Sequence, residues 1–122
     1  MTSENSAQDG ASTDLIRFIE CWNSEHFFDA HETLEPRWIA TRDRGLRGLI
    51  QLAAAFHHLS KGNKRGARTT LERAIGRLED KENAPCAIDQ AALGSYARRV
   101  LAQLETADPQ AIIASRPRLD PV

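Results

Sequence analysis

The chain has 122 residues, 41% of them hydrophobic, which suffices for one hydrophobic core without disulfide or metal support. Sixteen basic residues face 17 acidic ones, a balance that excludes a protein that coats nucleic acid or anionic membrane through net charge. No run approaches the ~20 apolar residues needed to cross a bilayer, and Met1 to Thr13 lacks the charged-then-apolar order of a secretion signal, so a cytoplasmic protein without membrane contact is expected. Cys21 and Cys86 are far apart and form no CxxC spacing; both read as ordinary structural thiols.

Residues 1–12 are polar, without a periodic apolar face, and read as a disordered tail. Leu15, Ile16, Phe18, Ile19 and Trp22 then recur at three- and four-residue steps, predicting a first helix from Thr13 to about Asn23. Asn23 and Ser24 are suited to cap a second helix carrying Phe27, Phe28, His31, Leu34, Glu35 and Trp38. Pro36 disfavours helical geometry at Glu35 and removes an amide, which predicts a kink or break there. After the charged turn Thr41 to Gly45, Leu46 to Leu59 is almost wholly apolar or small and reads as the central helix. Lys61-Gly62-Asn63 is a stop, and Gly66 to Leu78 places Ala67, Leu71, Ala74, Ile75 and Leu78 on one face of a fourth helix. Ala92 to Leu104 gives a fifth. Beyond Asp108, Pro109, Pro117 and Pro121 leave an extended tail with one short turn around Ala111 to Ala114. The expected architecture is all-α: an up-and-down bundle of about five helices over 13–106, followed by a tail over 107–122.

Chemistry concentrates at four polar residues. At 100° per residue, Phe27, Phe28, Glu35 and Trp38 all fall within about 60° of His31, so His31 and Glu35 stand inside an apolar stripe. A carboxylate there needs a cation, a metal, hydrogen-bond donors or its own proton. On the central helix, Gly48, Gln51, Ala55, His58 and Gly62 form a stripe of small residues opposite the one carrying Leu46, Leu49, Ile50, Ala53, Phe56 and His57. Were the second helix to dock on the small stripe, His31, Glu35, Gln51 and His58 would converge.

The run Phe27-Phe28-Asp29-Ala30-His31-Glu32-Thr33-Leu34-Glu35 with Trp38, then Gly48 to Ala55 with His58, then Gly62-Asn63 and Gly66-Ala67, resembles the small prokaryotic family catalogued as domain of unknown function 309. The resemblance covers about Asn23 to Leu78 and implies an all-helical bundle, with characteristic polar residues at His31, Glu32, Glu35, Gln51 and His58. His57 stands where an aromatic is more usual, and Pro36 departs from a helix-favouring run. Members are sometimes labelled predicted metal-dependent hydrolases.

Three readings follow. In the first, His31, Glu35 and His58 hold one divalent metal ion, Glu32 and Glu35 are the candidate catalytic carboxylates, and Gln51, Phe27, Phe28 and Trp38 line a small-ligand pocket. The motif is HExxE rather than the HExxH of zinc proteases, so protease chemistry gains nothing from it. In the second, the same residues form a buried hydrogen-bond network in a non-enzymatic structural or interaction protein. Trp22, Trp38, Ile112 and Ile113 exceed what five short helices cover, so a homodimer is expected. In the third, Arg42, Arg44 and Arg47 with Lys61, Lys64, Arg65 and Arg68 form a basic edge, but Asp43, Glu72 and Glu79 dilute it, and nucleic-acid binding is not favoured. His57 reads as a core or interface histidine.

Overall fold

The computed structural model describes residues 12–120, so the expected tail 1–12 lies outside the described residues except for Ser12. Seven helices and no strand are found among them: α1 (Thr13–Asn23), α2 (Phe27–Thr33), α3 (Glu35–Thr41), α4 (Arg44–Ser60), α5 (Lys64–Leu78), α6 (Gln90–Gln103) and α7 (Pro109–Ala114). The all-helical architecture follows the apolar periodicity.

Helix starts obey local chemistry. Asp43, Asn63, Asp89 and Asp108 each place a side-chain oxygen 2.8–3.1 Å from a backbone amide of the helix they precede, satisfying donors that the first turn leaves free. The break at Pro36 is present. Leu34 ends α2 and opens α3, and Pro36 sits in the first turn of α3, where its missing N–H is not needed.

The expected capping of the second helix by Asn23 or Ser24 is corrected. Ser24 closes α1, Glu25 turns the chain with φ of 65°, and His26 precedes α2 without a side-chain cap. Asn23 is engaged elsewhere: its Nδ2 donates to the Leu119 carbonyl and its Oδ1 accepts from the Leu119 amide, both at 2.9 Å. Trp22 Nε1 donates to the Pro117 carbonyl at 2.9 Å, and Arg116 donates to the Trp22 and Asn23 carbonyls.

The segment expected to trail as an extended tail therefore closes the fold. Ile112 and Ile113 are buried in the core, and the strap 116–119 is tied to the end of α1. This removes the ground on which a homodimer was expected, because Trp22 is wholly buried and Trp38 is covered by two arginines. Among the described residues the exposed large hydrophobics are Phe28 and Ile39.

α4 is the central element, packed against α2, α3, α5, α6 and α7. At its C-terminal half Phe56 meets Trp22 and Phe27 with ring centroids 4.9 and 5.5 Å apart, and Tyr96 of α6 stacks on it from the other side at 6.2 Å. These rings join α1, α2, α4 and α6 by two tilted contacts and one stacked contact.

Candidate functional site

The two stripes of α4 meet different partners. The small-residue stripe faces α5: a Cβ built on Gly48 would stand 2.8 Å from Leu78 Cγ, Gln51 Oε1 accepts from Arg77 Nη1 at 3.0 Å, and His58 Nδ1 lies 3.2 Å from Asn63 Nδ2. A Cβ on Gly66 would come within 2.7 Å of His58 Nδ1. The chain reverses through Gly62, whose φ of 73° suits a residue without a side chain, and lays α5 back along α4. Small residues on both helices allow this close approach. The expected docking of the second helix on that stripe is thus corrected: α5, its sequence neighbour through a short turn, occupies it.

α2 packs on the opposite side, next to Phe56 and His57. His31 Nε2 is 3.8 Å from Glu35 Oε2, a contact longer than a direct hydrogen bond, with 29% and 39% of the two side chains exposed. The Phe28 ring stacks on His31 at 6.0 Å and lies 5.4 Å from His57, whose ring is 6.4 Å from that of His58. Burial pushes the His57 imidazole below its ordinary range, and the neighbouring Lys61, His58 and His31 push it further in that direction. His31 Nδ1 is buried with no hydrogen-bond partner.

The structure thus brings His31 to Phe28 and Glu35, sets His57 against the same Phe28 ring, and gives Gln51 and His58 to α5. Glu32, the other carboxylate considered for catalysis, is exposed and lines a shallow groove with Thr13, Asp14, Arg17, Asp29 and Thr33. Phe27 is 2% exposed inside the core, so it walls no open pocket. Trp38 is half-buried, with the guanidinium carbons of Arg42 and Arg47 at 4.5 and 4.4 Å from its ring centroid. Among the described residues no group of three or more His, Cys, Asp or Glu is placed to hold a metal ion. His31, Glu35 and His58 are accordingly not found in such a group. Successive residues on a helix diverge by 100°, and it is His57, not His58, that shares the α2 side.

Two participants escaped the sequence reading. Arg77 is not among the residues that the sequence singles out, and only the packing of α5 reveals that it meets Gln51. Asn63 reads as a helix stop, yet it caps α5 and contacts His58 at once. Its signal was available: Asn three residues before Gly66, at the head of an amphipathic run, is an N-cap pattern.

Residues 15–70 match the family model described as domain of unknown function, DUF309. This stretch belongs to the DUF309 family. It runs from α1 into α5 and includes His31, Glu35, Gln51 and His58, while Arg77, α6 and the C-terminal strap lie beyond it. An uncharacterized protein of Aquifex aeolicus (strain VF5) is 30% identical over 95 residues, covering 72% of this chain and 28% of the relative. The chain thus spans little more than a quarter of that relative's length. No solved structure matches it. No helix among the described residues is long and apolar enough to cross a membrane.

Proposed function

We propose that this chain is a non-enzymatic helical interaction module in which the DUF309 polar residues set how the helices pack. One observation carries this reading: the four residues divide between two sides of α4 and each has its own local partner. His31 meets Glu35, Gln51 meets Arg77 and His58 meets Asn63. Separate pairs of this kind fix register between helices. They do not supply the convergent set that metal-assisted hydrolysis needs.

The surface offered for interaction is that of the two short helices α2 and α3, where Phe28 is 50% and Ile39 59% exposed. Apolar side chains left in water at such a face favour association with a second copy of the chain. Elemental analysis of protein purified without chelator or affinity metal tests the first part. The expected result is metal well below one equivalent, unchanged by His31→Ala, which costs under about 1 kcal/mol of stability as a partly exposed pair should. One equivalent of metal that disappears in His31→Ala would refute the reading. Sedimentation tests the second part: the wild type is expected to self-associate with rising concentration, and Phe28→Ser to remain monomeric.

A further inference from the structure

The Gln51–Arg77 contact joins two arginine-bearing helix faces. Arg47 precedes Gln51 by four residues on α4, and Arg73 precedes Arg77 by four residues on α5, so each arginine neighbours one end of the bridge. Trp38 of α3 holds Arg47 and Arg42 against its ring. Arg42 itself stands at the left-handed residue that ends α3, with φ of 57°. Three helices thus direct Arg42, Arg47, Arg73 and Arg77 to one end of the α4–α5 pair.

Arg37, Arg44, Arg68, Arg98 and Arg116 each have a carboxylate partner: Asp14, Asp80, Glu105, Glu79 and Glu25. Among the described residues none is found within ion-pair distance of Arg42, Arg47, Arg73 or Arg77. What sets them apart from Arg17, Arg65, Arg99 and Arg118, which likewise have no ion-pair partner among the described residues, is that they gather around the Trp38 ring and the Gln51–Arg77 contact. Arg77 is oriented instead by a neutral amide oxygen on a residue only 7% exposed, which leaves its charge uncompensated and most of its five donors free. Burial, then the cations Arg44, Arg47 and Arg73, all disfavour its charged form, and a bound anion would relieve that crowding.

The geometry points to an oxyanion site formed by Arg42, Arg47, Arg73 and Arg77, with Trp38 and Gln51 as positioning residues, that takes a small phosphorylated ligand. Planar guanidinium forks match phosphate oxygens. Trp38 and Gln51 hold three of these forks in place before the ligand arrives, which lowers the ordering cost of binding. The size of the ligand follows from what borders the patch. Asp43 caps α4, Asp80 pairs with Arg44 and Glu79 pairs with Arg98, so the positive field is confined and does not continue as a track for a polyanion.

Calorimetric titration of the full chain with inorganic pyrophosphate tests this. Saturable binding is expected, weakened at least about tenfold in Arg47→Gln and again in Arg77→Gln, the loss due to one charge-assisted contact. Arg65→Gln serves as the control, because exposed Arg65 lies twelve residues and about 18 Å along α5 from Arg77. Gln51→Leu should weaken pyrophosphate binding while Arg65→Gln leaves it unchanged. Circular dichroism of each variant establishes that it is folded, and the separate Arg47→Gln variant keeps the test decisive should Arg77→Gln unfold. Absence of wild-type binding, or equal loss in Arg65→Gln, would overturn the proposal. So would an oligonucleotide that binds more tightly than pyrophosphate with a steep salt dependence, since that would make the patch a nucleic-acid surface.

Discussion

Gly48 of α4 and Leu78 of α5 touch so closely that a methyl group on Gly48 would lie 2.8 Å from Leu78 Cγ and 3.1 Å from the Leu78 backbone nitrogen. The second distance matters more, because a leucine side chain can turn aside and a helix backbone cannot. Gly48 thus sets the spacing of the α4–α5 pair, on which the Gln51–Arg77 contact and the His58–Asn63 contact both depend.

Gly48→Ala should therefore destabilise the protein by about 1–3 kcal/mol, the usual cost of overpacking a close contact. Gly76 is the internal comparison: it lies within α5 with nothing inside 4 Å of an added Cβ. Gly76→Ala should stabilise by about 0.5–1 kcal/mol through helix propensity alone. Urea denaturation of the two variants should move the midpoint in opposite directions.

Tyr96 is the single tyrosine of the chain, so phenolate absorbance reports on it alone. Its hydroxyl is buried without a hydrogen-bond partner, and burial pushes its pKa up to about 12, partly opposed by Arg116 and Arg99. The folded state thus holds the neutral phenol more firmly than the unfolded state does. The sign follows: the associated stability is complete below about pH 10, the unfolded value, and is lost as pH rises toward 12. An ultraviolet titration should show ionisation near the upper value. Tyr96→Phe should flatten the alkaline decline in stability and leave stability at neutral pH unchanged or slightly higher, since it removes an unsatisfied hydroxyl.

Asn23 ties the C-terminal strap by pairing with both backbone groups of Leu119. Asn23→Ala should cost about 1–2 kcal/mol for two part-buried hydrogen bonds. Asn23→Asp should fall between, because it keeps the acceptor for the Leu119 amide and loses the donor to its carbonyl. Hydrogen exchange at the Leu119 amide is the direct measure, expected to be fastest in Asn23→Ala.

The helices themselves were legible in the residues, because the forces that form them act over a few positions. Leu15, Phe18, Ile19 and Trp22 mark the buried side of α1, the break appears at Pro36, and Asp43 and Asp108 act as caps with partners two or three residues away. The site was legible only in its parts. The pairing of His31 with Glu35 is an i, i+4 relation that any helix brings into range, and it survives as a 3.8 Å contact.

Tertiary structure decided which face meets which. α4 carries two stripes, both compatible with a neighbouring helix, and nothing local states that α5 takes Gly48, Gln51 and His58 while α2 takes Phe56 and His57. That choice rests on volume, on how Gly62 turns the chain and on how near two backbones can come. The strap at Leu119, bonded to a residue 96 positions earlier, is likewise invisible to periodicity. The composition and spacing of the chain determined an all-helical protein with polar residues at set points on its helices. Packing alone determined that those residues stand in separate pairs, and that Arg47 of α4 and Arg73 and Arg77 of α5 gather at one end, because long-range contacts choose among faces that local sequence leaves equivalent.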